Sequence, residues 1–244
     1  MARANRHHLP GYVWHITHRC HKREFLLKFE KDKRRWIHWL FEAKKRFGLK
    51  ILDFTVTSNH IHLLVYDGKV NIIPKSIQLI AGRTGREYNQ RKNRKGAFWE
   101  DRYHATAVKT GNHLIRCLAY IDLNMVRAGV VRHPGEWMYG WYHEIQNPKQ
   151  RYSLINRQKL TALLGIKDND QLYWILQWIM RKTVELRRKR KLKRYKASPI
   201  YPYRKDWHSL LSEILTPRLS FGSHAVTTPR PFNMNERSAY FALL

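Results

Sequence analysis

His60 and His62 stand two positions apart inside the apolar run TVTSNHIHLLVY at positions 55–66. On a β-strand that spacing turns both imidazoles to one face. Two imidazoles on one rigid face make half of a divalent-metal site. With 14 histidines in 244 residues, such a pair also arises from composition alone. Its apolar flanks raise its weight, because a buried strand holds two polar rings only if they have partners. A second set lies further along, in LAYIDLNMVRAG at positions 118–129. There Tyr120 and Asn124 are i and i+4 on a helical segment, one above the other and about 5–6 Å apart at Cβ. A tyrosine hydroxyl is a nucleophile that can attack phosphorus and remain covalently attached. An amide oxygen one turn later can be a third ligand. Taken singly, Tyr120 is one of 13 tyrosines and reads as a helix-surface or core residue.

The charge balance says what such chemistry would act on. Lys and Arg total 47 against 18 Asp and Glu, a formal net charge of +29. That excess favours a polyanionic partner, and nucleic acid is the natural one. No apolar stretch is long enough to span a bilayer, and the first residues, MARANRHH, are polar and basic rather than a signal peptide. The expectation is a cytoplasmic protein that binds nucleic acid. The two cysteines, Cys20 and Cys117, form no Cys-x-x-Cys pair, which argues against a zinc finger and agrees with a reduced compartment. Apolar residues make up 43% of the chain, enough for a true core.

The elements that must position these residues follow from periodicity. Residues 11–19 alternate like a strand. Residues 29–47 carry Trp36, Ile37, Leu40, Phe41 and Phe47 at helical spacing and stop at Gly48. Residues 50–57 and 60–66 read as strands, with Ser58-Asn59 a turn or bulge between them. Pro74 sits at the start of a second helix reaching about Arg91, with Ile77, Ile80 and Ala81 inward. After the basic loop 91–96, residues 97–108 are strand-like and aromatic. Gly111-Asn112 can begin a third helix that runs to Arg127 and ends at Gly129. The order β-α-β-β-α-β-α predicts an α+β, ferredoxin-like (RRM-like) sandwich, an antiparallel sheet with helices on one face. Residues 1–146 would form this domain. Residues 147–244 would form a helical, basic extension, with helices at 150–166 and 169–190 and the basic run RRKRKLKR at 187–194.

Taken together, these segments resemble the REP-associated tyrosine transposases, a branch of the single-tyrosine HUH transposases. The likeness rests on His60-Ile61-His62 followed by Leu-Leu-Val and on GAFWEDRY at 96–103. It also rests on Tyr120-Ile121-Asp122-Leu123-Asn124, Val126-Arg127-Ala128-Gly129 and His133-Pro134-Gly135-Glu136-Trp137. It covers residues 11–143. The resemblance implies that His60, His62 and Asn124 bind Mg²⁺ or Mn²⁺. It implies that Tyr120 attacks a scissile phosphate of single-stranded DNA, leaving a 5′-phosphotyrosine and a free 3′-hydroxyl that can be rejoined without ATP. It further implies hairpin DNA as the partner, bound by a monomer or homodimer. Arg3, Arg6, Arg19, Arg91, Lys92, Arg94, Lys95, Trp99 and Arg102 are the candidate DNA contacts. Trp99 would stack on unpaired bases and Arg102 would grip a phosphate. Two positions depart from the family: Thr57-Ser58 stands for its Met-Pro, and Met125 for the proline after its asparagine.

A rival of another class is a non-catalytic binder of hairpin DNA or RNA. RNA-recognition modules share the element order, and Lys95-Gly96-Ala97-Phe98 is faintly like one of their aromatic motifs. A hydrolytic nuclease would want carboxylate ligands, and Asp53, Asp67 and Asp101 form no evident cluster in the sequence.

Overall fold

A computed structural model of the chain describes residues 10–146, 151–166 and 177. Four strands and two principal helices appear in the expected order. They are β1 (Val13–Arg19), α1 (Glu30–Phe47), β2 (Lys50–Val56), β3 (His60–Tyr66), α2 (Ile72–Arg91) and β4 (His104–Val108). Next come α3 (Asn112–Asp122) and the short α4 (Asn124–Arg127), α5 (Tyr142–Gln146) and α6 (Arg157–Leu164). The sheet order is β2-β3-β1-β4 and every pairing is antiparallel. That order with two intervening helices is the ferredoxin-like α+β sandwich.

Local signals explain most boundaries. Gly48 ends α1 in a left-handed conformation, φ 70°, and its N–H caps the Lys44 carbonyl at 2.9 Å. Ser58-Asn59 closes a tight β2–β3 hairpin, with the Thr57 N–H donating to the His60 carbonyl at 3.0 Å. Register then sorts the side chains. His15 lies opposite Leu64, Thr17 opposite His62 and Arg19 opposite His60, while Thr55 of β2 faces His62 from the other side. Directly paired residues share a face, so His15, Asp53, Thr55, His60 and His62 all point the same way. Ile16, Phe54, Ile61, Leu63 and Val65 point the other way and are buried. They form the floor on which α1 and α2 pack, with the Trp36 and Phe54 rings 6.4 Å apart. The third helix, α3, packs on the histidine-bearing face.

Two expectations need correction. Residues 97–103 form no strand beyond a single antiparallel bridge of Trp99 with Cys20, and the regular strand is confined to His104–Val108. Phe98 packs its ring on Tyr88 at 5.0 Å and is buried, so the aromatic pattern there reflects docking against α2 rather than strand alternation. The helix expected from Asn112 to Arg127 is interrupted at Leu123, which leaves Tyr120 on α3 and Asn124 as the first residue of α4.

The outer edge of β2 is covered from the C-terminal side. The Val56 N–H donates to the Tyr139 carbonyl at 2.9 Å and the Trp141 N–H to the Phe54 carbonyl at 3.0 Å. Further along, the Asn156 N–H reaches the Ile51 carbonyl at 2.8 Å. Covering an edge removes a template for unwanted pairing. The approach is close: a Cβ on Gly140 would lie 3.0 Å from Thr55 Oγ1. The aromatic segment after His133 therefore belongs to the core, with Trp141 and Tyr142 buried. Arg3, Arg6, the expected helix at 169–190 apart from residue 177, and the basic run at 187–194 lie outside the described residues. Among the described residues, no helix is long and apolar enough to cross a membrane.

Candidate active site

Strands β1 and β3 and helices α3 and α4 bring the predicted chemistry to one place. The His60 and His62 rings meet edge to face with centroids 4.9 Å apart. Tyr120 presents its ring edge-on to His62 at 5.6 Å. The Asn124 amide Nδ2 is 3.0 Å from His62 Nε2 across 62 positions of sequence. Tyr120 reaches this spot because its neighbours Leu118, Ala119 and Ile121 are buried, which leaves it at the rim of α3, 36% exposed. The Arg127 guanidinium lies over the Tyr120 ring, 3.8 Å from its centroid, within cation–π range.

Hydrogen bonds set the histidine tautomers. His60 Nδ1 is 2.7 Å from Asn59 Oδ1, which only accepts, so that nitrogen carries the proton. Thr57 Oγ1 also lies 3.0 Å from the same nitrogen. In His62, Nε2 accepts from the Asn124 amide, so Nδ1 is protonated and donates to His15 Nε2 at 3.0 Å. Both rings therefore turn an unprotonated Nε2 toward the site, the form that binds metals. His15 is a site residue that sequence reasoning missed. It stacks on His62 at 5.2 Å and lies 6.0 Å from Tyr120. Only the β1–β3 register reveals it, and no spacing rule gives that register.

The electrostatics agree with neutral imidazoles. Burial pushes His60 down to about 4, helped by Arg19 and Arg127. Burial and then Arg127 push His15 to about 4. His62 falls well below its ordinary value through burial and then through the neighbouring His60, His15 and arginines. Beneath α3, Asp53 and Asp122 are buried carboxyls, both shifted well up by burial, Asp53 also by Asp122.

A divalent ion fits this donor set. His60 and His62 offer two Nε2 lone pairs. Half a turn of the Asn124 amide replaces its NH₂ with an oxygen, the atom that hard cations take. Among the described residues no three His, Cys, Asp or Glu side chains gather as a metal-binding group; His60, His62 and Asn124 are the residues that would hold such an ion.

Thr57, at a position where the sequence departs from the family motif, also supports the site. Its Oγ1 accepts from the His60 N–H at 3.1 Å and the Asn59 N–H at 3.3 Å, so it shapes the turn that aims His60. The candidate DNA contacts fare unevenly. Arg19 is exposed at the end of β1, beside His60. Arg91 is paired with Asp32 and lies over the Tyr88 ring. Arg94 binds the Ala97 carbonyl at 3.0 Å and approaches Glu24 at 3.6 Å. Lys92 and Lys95 are exposed on the loop, as is Arg102 beyond it. Trp99 stacks on His18 with centroids 4.1 Å apart and donates from Nε1 to the Ala81 carbonyl at 3.0 Å. Trp99 is half-buried by these contacts with β1 and α2.

Residues 9–124 match the family model described as "Transposase IS200 like". Among solved structures, the chain is similar to a REP-associated tyrosine transposase bound to a REP hairpin. The two are 18% identical with a TM-score of 0.48, and the match covers 61% of this chain and 87% of that one. It is also similar to a candidate transposase from Deinococcus radiodurans R1, at 15% identity and a TM-score of 0.35, covering 53% of this chain and 92% of that one. No curated protein matches. The family match begins just ahead of β1, takes in His60, His62 and Tyr120, and ends on Asn124. The likeness to IS200-like transposases is thus carried by residues 9–124, just under half of this chain.

Proposed function

We propose that this protein cleaves and rejoins single-stranded DNA at hairpin-forming repeats through a covalent 5′-phosphotyrosine on Tyr120. One observation carries the reading: Tyr120 and Asn124 both converge on His62, the first at 5.6 Å between rings and the second at 3.0 Å. Nucleophile and ligands so far apart in sequence have no packing reason to share one partly open rim.

The chain's residues divide the work. Tyr120 supplies the nucleophilic oxygen; its phenolic proton leaves as a new P–O bond forms. The bond from phosphorus to the 3′ oxygen breaks, and that oxygen departs with its electron pair and takes up a proton as a free 3′-hydroxyl. Reversal on another 3′-hydroxyl rejoins DNA and frees Tyr120, so bond energy is conserved. Arg127 holds the Tyr120 ring by stacking and places positive charge beside the oxygen's approach. His60, His62 and Asn124 would hold Mg²⁺ or Mn²⁺. When bound, that ion supplies charge stabilisation to the phosphate. Thr57, Asn59 and His15 keep the two rings in the tautomers that such binding needs.

The test is incubation with a labelled hairpin carrying an unpaired flank, with and without Mn²⁺. The expected outcome is a denaturation-resistant protein–DNA adduct in the presence of metal, lost in Tyr120→Phe. An adduct that persists in Tyr120→Phe removes the tyrosine assignment. Tight hairpin binding with no adduct under any metal establishes the non-catalytic binder instead.

A further inference from the structure

The loop between β1 and α1 has a feature that the catalytic residues do not explain. Its segment Glu24-Phe25-Leu26-Leu27-Lys28-Phe29 buries two leucines and leaves both phenylalanines in water. Leu26 and Leu27 are buried, while Phe25 is 65% and Phe29 is 54% exposed. Large apolar rings left outward beside a well-formed core ask for an occupant.

The surroundings say which occupant. Lys28 Nζ lies 5.9 Å and Lys92 Nζ 5.3 Å from the Phe29 ring centroid. Lys22 and Arg23 precede Phe25, both with positive φ, 49° and 61°, a bend that non-glycine residues adopt at a cost. The two carboxylates nearest in sequence are already engaged, Glu24 with Arg94 and Glu30 with Arg34. Exposed aromatic rings alternating with cations are the chemistry of single-stranded nucleic acid: bases stack on the rings and phosphates meet the cations. An acidic or apolar protein partner would use one half of that pattern and waste the other.

The loop is also wired to the catalytic face. The Cys20 N–H donates to the Asn59 carbonyl at 2.8 Å and the Leu27 N–H to the Ser58 carbonyl at 2.9 Å. Asn59 Nδ2 donates to the Arg23 carbonyl at 3.2 Å, while its Oδ1 takes the His60 Nδ1 proton at 2.7 Å. One amide therefore bridges the strained bend and the histidine.

We propose that Phe25 and Phe29 form a stacking shelf for unpaired nucleotides of the strand that is presented to Tyr120, and that Asn59 ties the shelf to His60. The proposal rests on the single-stranded DNA reading above and names contacts beyond those expected of Trp99 and the basic loop.

The experiment uses the full chain and a hairpin with an unpaired flank bearing 5-iodouracil at successive positions, beside a blunt hairpin of the same stem. Irradiation should crosslink Phe25 or Phe29 to flank positions. The Phe25→Ala/Phe29→Ala double variant should bind the flanked hairpin about tenfold more weakly and the blunt one as wild type does. Trp at both positions should restore flank binding. Equal affinity of double variant and wild type for the flanked hairpin, with crosslinks elsewhere, overturns the shelf alone. An equal loss on flanked and blunt hairpins overturns it too, as does a change of oligomeric state in the double variant. A wild-type chain that binds neither hairpin takes the single-stranded DNA reading down with it. Both side chains are exposed, so an unchanged thermal midpoint verifies the fold of the variants.

Discussion

His15 and Asn59 act on the site without being part of its chemistry. Each holds the Nδ1 proton of one catalytic-face histidine, His15 that of His62 and Asn59 that of His60. Partners of this kind typically alter metal affinity 10–100-fold. His15→Phe keeps the stack and removes the acceptor, so it should weaken Mn²⁺ binding by about tenfold in calorimetric titration. His15→Gln, whose amide oxygen can still accept, should recover most of the loss. Acid should act on the same rings. Folded His15 and His60 take a proton only near 4, whereas unfolded they take it near 6.5. Between those values the unfolded chain binds more protons, so stability is full above about 6.5 and declines as pH falls toward 4. Urea midpoints across that window should show the decline, and His15→Gln should flatten it. A midpoint that rises on acidification contradicts the assignment.

At the scale of elements, the docking of residues 97–103 onto α2 is a sensitive joint. A Cβ on Gly85 would sit 3.1 Å from Phe98 Cβ, tighter than ordinary contact, so Phe98 would have to shift by a few tenths of an ångström. Gly85→Ala gains helix propensity of just under about 1 kcal/mol yet overpacks the joint at a cost of about 1–3 kcal/mol. A lowered thermal midpoint is expected. Gly82, three residues earlier, faces open space, with no atom within 4 Å of the position its Cβ would take. Gly82→Ala should therefore leave the midpoint unchanged or raise it. This joint also shows why the sequence pattern suggests a longer strand than the one that forms. Alternating aromatics look the same whether their partners are cross-strand neighbours or, as with Phe98 and Trp99, a helix and a histidine ring. The α3–α4 interruption at Leu123 is equally silent, since a single non-helical residue leaves the apolar period of its flanks intact.

For the whole molecule, the net charge of +29 predicts hairpin affinity that falls steeply with salt. The slope of log affinity against log salt should scale with the number of phosphates neutralised. Arg19→Ala should lower that slope by about one unit if Arg19 contacts a phosphate; an unchanged slope removes it from the interface. Local pattern was enough for the element order, the pairing of two imidazoles on one strand face, and the tyrosine and asparagine near one helix end. These follow from the local periods of 2 and 3.6 residues, which any short window displays. Three outcomes needed the folded chain: β3 and α3 face each other, His15 shares the site, and Trp99 stacks on His18. The fold also left Phe25 and Phe29 outside. Those outcomes depend on strand register and on which faces the core must bury, and both are set by contacts between residues far apart in the chain.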